Sequence, residues 1–185
     1  TLYEGFILTH HLTQETYHRI SIPDLIDKDI DKVIYLDSDI VIKEDITKLW
    51  DINIDHYFLS AVQDAWLGLK KLRHADLSIP EDGDYFNAGV LVLNLKKWRE
   101  HNITNQIIDF MKNNQNIILY PSQDSMNGIL HDKWLQLDAK WNYQSKHIYK
   151  SNLQIEPAVI HYTGTDSKPW WSSKHPLCGE YMDYL

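Results

Sequence analysis

Two aspartates one residue apart, Asp37 and Asp39, directly follow the apolar run VIYL at residues 33–36. In an extended chain, side chains two positions apart project from the same face, so these two carboxylates would point together. Carboxylates that share one side repel each other unless a cation lies near them, and Mg²⁺ and Mn²⁺ prefer oxygen ligands. The spacing therefore predicts a divalent-metal site at a strand end, with two solvated acids in a turn as the alternative.

A third ligand is expected from His161, which follows the apolar residues 157–160 and so also ends a strand. A lone histidine is more often structural than a ligand, but its downstream neighbours favour a binding site. Gly164 permits close approach of the backbone, and Lys168 carries a point charge suited to phosphate. The segment predicts one wall of a metal–diphosphate site, and its nitrogen ligand shifts the preference from Mg²⁺ toward Mn²⁺.

The elements that must position these residues alternate between strands and helices. Apolar runs predict strands at residues 33–36, 58–62, 85–95, 134–137 and 158–162, the first of them buried on both faces. Helical spacing predicts helices at 13–22 (ended by Pro23), at 45–50, after Thr104 and Ser122 as caps, and at 175–185, with a loop at 65–84. Such alternation is typical of an α/β domain.

Length, charge and cysteine content narrow the classes of protein further. At 185 residues the chain is expected to form one domain, residues 1–185, with a sizeable core. Its formal net charge of −8 argues against a nucleic-acid partner, which would need a basic surface. No apolar run reaches the ~18 residues that a transmembrane segment needs. The single Cys178 allows no internal disulfide, so we expect a cytoplasmic location, with the inner face of the membrane as a further option.

Four ordered sequence blocks together carry a resemblance to a known family. They read YLDSDIVI, YFNAGVLVLNLKKW, SQDSMNGIL and HYTGTDSKPW, and the matching order and spacing extend from about Tyr17 to Trp170. The chain strongly resembles glycosyltransferase family 8, which includes glycogenin and bacterial lipooligosaccharide galactosyltransferases. The resemblance implies the α/β GT-A fold, a Rossmann-like mixed sheet flanked by helices. It also implies a UDP-sugar donor, Mn²⁺ and transfer with retention at the anomeric carbon.

The resemblance also assigns roles to individual residues. Asp37 and Asp39 match the metal-binding D-x-D motif of the family, and His161 matches its third protein ligand. Gly164 and Lys168 match contacts to the diphosphate. The remaining assignments are Arg19 near the donor sugar, Ser38 among the donor-binding residues, Asp64 and Asn87 at sugar hydroxyls or the acceptor, and Gln123 close to the anomeric centre.

The chain departs from the family pattern in two places. Ser122 stands where several relatives carry an acid associated with the donor sugar. Asp124 is interpreted as a first-turn acid that the helix dipole favours, rather than as a replacement for that acid. The strand and loop that hold the uridine and ribose in relatives normally precede Tyr17, and residues 1–11 are too few to supply them. We therefore expect the domain to lack its N-terminal nucleotide-binding strands and the sequence to be an excerpt of a longer protein.

Several alternatives stay open at this point. UDP-glucose and UDP-galactose are both possible donors, and the acceptor is a glycan, a lipid-linked sugar or a glycoprotein. A haloacid-dehalogenase-type phosphatase would use Asp37 as its nucleophile, although the acidic pair that it needs on a later strand is missing. A third possibility is a carbohydrate- or nucleotide-sugar-binding protein without catalytic activity. Ser122 and the expected lack of the N-terminal nucleotide-binding strands favour this alternative.

Overall fold

The computed structural model describes residues 14–66, 73–150, 155–165, 168–171 and 174–185. Within them, the larger sheet has four strands in the order β1 (Lys32–Leu36), β4 (Phe86–Asn94), β3 (Leu59–Gln63) and β5 (Trp134–Gln136). Strand β4 runs antiparallel to both of its neighbours, whereas β3 and β5 are parallel. The sheet is therefore mixed, as the resemblance implied. Strand β1 lies at its edge and is half-buried along its whole length, so the prediction of burial on both faces is wrong.

After β1 the chain enters a second, smaller sheet. Its three strands follow the order β2 (Ile40–Ile42), β7 (Val159–His161) and β6 (Tyr143–Gln144). Strands β2 and β7 are antiparallel, and β6 and β7 are parallel. Because β1 ends at Leu36 and β2 begins at Ile40, residues 37–39 form a short passage between two sheets. The first strand ends at Leu36, as predicted, so the shared strand face that would project both aspartates together is absent and the chain changes sheets there.

Helices flank the two sheets. Their bounds are His18–Leu25 (α1), Thr47–Trp50 (α2), Leu95–Glu100 (α3), Ile103–Asn113 (α4), Pro121–Leu130 (α5), Ser145–Lys150 (α6) and Cys178–Met182 (α7), with 3₁₀ turns at Gln14–Tyr17 and Ala139–Asn142. The predicted start of the first helix at Thr13 lies outside the described residues, and α1 continues past Pro23. No helix among the described residues has both the length and the apolar character needed to cross a lipid bilayer.

Two predicted helix caps are wrong. Thr104 lies inside α4, and its hydroxyl donates a hydrogen bond to the Ile20 carbonyl instead of capping the helix. Ser122 lies inside the first turn of α5, because Pro121 occupies the start of the helix, where its missing N–H costs nothing. Both helices therefore begin before the residue that was predicted to cap them.

The core lies on both faces of β4, the strand predicted most clearly from its long apolar run. Leu91 and Leu93 pack against apolar residues of α1, α3, α4 and α5 on one face. Val90 and Val92 pack on the other face with apolar residues of α2 and β7. Burial on both faces explains why this segment reads as an almost continuous apolar run. It also makes β4 a rigid support for the residues at its N-terminal end.

The pairing of β3 with β4 is irregular near that end. Ala61 pairs with Leu91 and Gln63 pairs with Phe86, so β3 advances by two residues while β4 advances by five. Extra residues of this kind bend a strand and re-aim its side chains, and they are frequent beside active sites. Here they bring residues 87–89 against the passage between the sheets, where the Asp37 amide donates to the Gly89 carbonyl at 2.8 Å.

Candidate metal and donor site

The structure brings together Asp37, Asp39 and His161, the three residues that were predicted to hold a metal. The aspartates lie in the passage between the sheets, and His161 ends β7, where it pairs with Ile40 across the antiparallel ladder. His161 Nε2 lies 3.3 Å from Asp39 Oδ1 and 3.8 Å from Asp37 Oδ2. One ligand atom from each residue lies within 4.8 Å of the others. Strand pairing therefore assembles the cluster from positions that are far apart in sequence.

Gly89 allows the His161 ring and the Asp37 carboxylate to pack directly against the backbone of β4. A Cβ atom at this position would lie 2.1 Å from His161 Cε1 and 2.9 Å from Asp37 Oδ2, far inside van der Waals contact. Two carboxylate oxygens and an imidazole nitrogen suit Mn²⁺ and are compatible with Mg²⁺. The donor set therefore fits a divalent ion, and Gly89 lets the imidazole reach the position from which its Nε2 faces the two aspartates. Sequence reasoning missed Gly89, although a glycine inside an apolar strand is a signal of close approach.

Asp37 is oriented by two neighbours that share one of its oxygens. Arg19 Nη2 donates to Asp37 Oδ1 at 2.8 Å, and the Tyr35 hydroxyl donates to the same oxygen at 2.6 Å. The other oxygen, Oδ2, is thereby left facing His161. Burial, reinforced by Asp37 and only partly opposed by Arg19, raises the pKa of the Tyr35 phenol well above its usual value, so Tyr35 remains a donor at physiological pH. Tyr35 was not identified from the sequence.

Arg19, which was predicted to lie near the donor sugar, is enclosed by the protein. It is buried, and its guanidinium also donates to the Ala88 and Thr16 carbonyls and packs over the Tyr35 ring at 4.7 Å. All three guanidinium nitrogens of Arg19 therefore donate hydrogen bonds within the protein, in the planar geometry that suits arginine to carboxylates. Arg19 thus supports the candidate metal-binding cluster through Asp37, and its contact with a donor sugar stays a prediction.

Asp39 is held by a lysine in the same way. Lys168 Nζ donates to Asp39 Oδ2 and, at 2.7 Å, to the Tyr162 carbonyl, which leaves Oδ1 toward His161. Burial alone would raise the pKa of the Asp39 carboxyl, but the hydrogen bonds and charges of His161 and Lys168 outweigh burial and hold this pKa well below its usual value. Asp39 therefore stays ionised at any physiological pH.

The other residues expected at the diphosphate lie at the edge of this cluster. Gly164 adopts a left-handed conformation with φ of 88° in the turn after β7, a conformation that glycine accepts readily. Ser38 is exposed between the two aspartates. Both positions are open to a ligand that approaches the cluster, and their contacts with a donor stay predictions.

A second cluster joins Asp64, Asn87 and Gln123, the residues predicted at the sugar. Asn87 Nδ2 and Gln123 Nε2 donate to Asp64 Oδ2 at 3.0 and 3.1 Å, and Gln123 Oε1 accepts from the Ala88 amide at 3.0 Å. These side chains come from the end of β3, the start of β4 and the first turn of α5. Three sequence predictions thus converge in one hydrogen-bonded group, while their contacts with substrate stay predictions.

Asp124 has a different role from its neighbours in α5. It is fully buried, and it pairs with the equally buried Arg73 at 3.0 Å. It also accepts from the Tyr85 hydroxyl at 2.7 Å and from the Leu119 and Tyr120 amides. These contacts make Asp124 a structural anchor in the first turn and leave no oxygen to replace an acid at Ser122, which is itself buried. The partner Arg73 was not identified from the sequence.

Comparison with known proteins decides the family. The model of glycosyl transferase family 8 matches residues 3–174. The chain belongs to glycosyltransferase family 8. Membership of family 8 rules out the phosphatase interpretation of the D-x-D pair.

Relatives and a solved structure agree with this assignment. General stress protein A of Bacillus subtilis (strain 168) is 35% identical over 201 residues, which span 100% of this chain and 69% of that protein. The lipopolysaccharide 1,2-glucosyltransferase of Escherichia coli (strain K12) is 32% identical over 165 residues, 83% of this chain and 48% of that protein. A crystal structure of galactosyltransferase LgtC with donor and acceptor sugar analogs superposes with a TM-score of 0.88 at 27% identity, covering 98% of this chain and 70% of that chain. The fold of family 8, GT-A, is therefore the fold of this chain.

Proposed function

We propose that this chain carries a retaining hexosyltransferase that moves glucose or galactose from a UDP-sugar to an acceptor hydroxyl, with Mn²⁺ or Mg²⁺ as cofactor. The observation that carries the proposal is the convergence of Asp37, Asp39 and His161, whose ligand atoms lie within 4.8 Å of one another. Support also comes from relatives: LgtC was crystallised with donor and acceptor sugar analogs, and the Escherichia coli relative is named as a glucosyltransferase.

In this proposal the ion is held by Asp37 Oδ2, Asp39 Oδ1 and His161 Nε2. A divalent ion supplies positive charge that offsets the charge developing on a departing diphosphate. Arg19 and Tyr35 keep Asp37 in place, and Lys168 keeps Asp39 in place while lying at the edge where the diphosphate would bind. These residues therefore fix the ligand geometry before the donor arrives, which is the main contribution a protein makes to such a site.

At the sugar, we propose attack on the same face that the diphosphate leaves. The bond from the anomeric carbon to the phosphate oxygen breaks, the bond to the acceptor oxygen forms, and the acceptor proton passes to the leaving phosphate. Gln123 is a poor nucleophile, because its amide is neutral and both of its ends are engaged, Nε2 with Asp64 and Oε1 with the Ala88 amide. It would position the acceptor or steady the cation-like sugar, while Asp64 and Asn87 would contact sugar hydroxyls or the acceptor. A trapped sugar–enzyme adduct would overturn this choice.

The acceptor is proposed as a glycan, a lipid-linked sugar or a glycoprotein. The first two are favoured by relatives that are named lipopolysaccharide 1,2-glucosyltransferase and lipopolysaccharide 1,3-galactosyltransferase. A cytoplasmic location remains a prediction from the cysteine usage. A catalytically inactive nucleotide-sugar- or carbohydrate-binding protein is the second candidate, because Ser122 cannot supply the negative charge that the family resemblance leads us to expect at this position.

The test is release of UDP from a panel of UDP-sugars incubated with the full-length protein and Mn²⁺, since slow donor hydrolysis requires no knowledge of the acceptor. We expect release from UDP-glucose or UDP-galactose, and its loss in Asp39→Ala because one metal ligand is removed. Asp109→Ala is the matched control, since that carboxylate lies exposed on α4. Undiminished release in Asp39→Ala would refute the metal assignment. Mn²⁺-dependent binding of UDP without any release would select the binding protein.

A further inference from the structure

A line of hydrogen bonds runs from a backbone amide to the far side of the metal-facing histidine. The Gly89 amide donates to Asn87 Oδ1 at 3.0 Å. Asn142 Nδ2 donates to the same Asn87 oxygen at 2.9 Å. At its other end, Asn142 Oδ1 lies 2.8 Å from His161 Nδ1. No catalytic or metal-binding role had been assigned to Asn142 from the sequence.

The direction of every bond in this line follows from its first member. A backbone N–H such as that of Gly89 can only donate, so the Asn87 atom that it contacts must be the amide oxygen. The Asn142 atom facing that oxygen must then be the NH₂ group, which places the Asn142 oxygen at the imidazole. An amide oxygen only accepts, so His161 Nδ1 must carry a hydrogen.

Burial makes this arrangement hard to replace with water. Asn142 has 0% of its surface exposed, His161 4% and Asn87 8%. Asn142 ends the 3₁₀ turn Ala139–Asn142 immediately before β6, whose pairing with β7 fixes it beside His161. Buried amides whose partners are all satisfied rigidify a site, whereas an unpaired one is costly.

We propose that Asn142 is a positioning residue that holds a hydrogen on His161 Nδ1 and thereby reserves Nε2 for the cation. A histidine binds a metal through an unprotonated ring nitrogen, and a partner at the other nitrogen sets which one that is. The inference rests on the proposed function only for the identity of the ion.

The same line connects the metal side of the site to the sugar side. The Asn87 oxygen accepts a hydrogen bond from Asn142, and Asn87 Nδ2 donates one to the Asp64 carboxylate. Gln123 Nε2 donates a hydrogen bond to the same carboxylate. The orientation of His161 and the orientation of the residues proposed at the sugar are therefore set by one shared amide. A residue at position 87 that only donates or only accepts could not make both sets of hydrogen bonds.

The first measurement reads the protonation of the His161 ring in the wild-type protein. The full-length, metal-free protein is labelled with ¹⁵N-histidine, and long-range ¹H–¹⁵N correlations are recorded at alkaline pH, where the imidazole is neutral. The His161 signals are assigned by their loss in His161→Gln. We expect the pattern of a ring protonated at Nδ1. The pattern of a ring protonated at Nε2 would overturn the proposal whether or not the protein binds Mn²⁺.

Two substitutions then test the role of the Asn142 oxygen. Asn142→Leu removes the acceptor, and we expect loss of the Nδ1–H form together with an about 10–100-fold weaker Mn²⁺ affinity, measured from the electron paramagnetic resonance of free Mn²⁺. Asn142→Asp keeps an acceptor oxygen and is expected to keep the Nδ1–H form and most of the affinity. Equal losses in both variants, or none in Asn142→Leu, would overturn the proposal.

Asn127→Leu serves as the matched control, because Asn127 is an equally buried amide that bonds to the Phe86 backbone rather than to His161. It should lower the melting temperature while leaving the His161 signals unchanged. Failure of the wild-type protein to bind Mn²⁺ would count against the proposed function alone, since the protonation pattern of the metal-free ring is read independently.

Discussion

Replacing Gly89 by alanine adds a single methyl group at the point where the candidate ligands meet. The new Cβ would lie 2.1 Å from His161 Cε1 and 2.8 Å from its Nδ1, and 2.9 Å from Asp37 Oδ2. These neighbours cannot move aside freely, because Asn142 holds the imidazole and both Arg19 and Tyr35 hold the carboxylate. The substitution therefore acts directly on two of the candidate metal ligands, His161 and Asp37.

The size of the effect follows from these distances. An ordinary carbon–carbon contact is ~3.5 Å, so the imidazole and the methyl group must separate by about 1.4 Å more than the present backbone allows. Distances to a metal tolerate only about 0.2 Å. We therefore expect Mn²⁺ affinity to fall at least about 100-fold, beyond the range caused by altering only the partners of metal ligands. Overpacking should cost a further ~1–3 kcal/mol of unfolding free energy.

The assay measures free Mn²⁺ by electron paramagnetic resonance and the free energy of unfolding by urea titration. Gly128→Ala is the matched control, because its Cβ would lie 2.6 Å from Phe110 Cζ and so also overpacks the protein, but in α5 rather than at the ligands. We expect both variants to lose stability and only Gly89→Ala to lose Mn²⁺. A Gly89→Ala protein that binds Mn²⁺ within twofold of wild type would refute the assignment of His161 and Asp37 as metal ligands.

Two further predictions concern stability. Asp124→Asn should lower the unfolding free energy by about 3–5 kcal/mol, because it leaves the buried Arg73 with only the half-exposed Asp76 as a carboxylate partner; a urea titration showing a loss below ~1 kcal/mol, the size expected for an exposed pair, would contradict this. Burial lowers the pKa of His175, whose Nδ1 accepts the Leu177 amide, so the unfolded chain binds a proton more readily than the folded one. The contribution of neutral, buried His175 to the free energy of unfolding is complete above the unfolded pKa of ~6.5 and is lost as the pH falls below it. The urea midpoint of the wild-type protein should therefore drop more between pH 7.5 and 5.5 than that of His175→Gln. Parallel declines of the two midpoints would disprove the assignment.

The ligand cluster was predictable because its signals are local. Asp37 and Asp39 follow an apolar strand, and His161 ends another. The few residues that precede each of them in sequence were therefore enough to predict its place at a strand end. The argument from a shared strand face was nevertheless wrong in detail. The aspartates lie between two sheets, and their oxygens converge because Arg19 and Lys168 each hold the opposite oxygen of one carboxylate.

The supporting residues could not be predicted because their roles arise only from distant pairing. Asn142 carries no local signal in the segment KWNYQ, and it meets His161 only because β6 pairs in parallel with β7. Arg73 reaches Asp124 across a long separation in sequence and was assigned to a loop. Gly89 had a local signal, but its meaning depends on the irregular pairing of β3 with β4, which a single sequence does not reveal.

Charge at the cluster explains how an acidic protein could hold a diphosphate. The whole chain carries a formal charge of −8, yet the two ligand carboxylates are each paired with one cation, Asp37 with Arg19 and Asp39 with Lys168. The cluster is therefore close to neutral before any ion binds, and a divalent ion would make it locally positive in a partly buried setting where charges are weakly screened. Attraction for a diphosphate should then depend on the bound ion rather than on the surface charge of the protein.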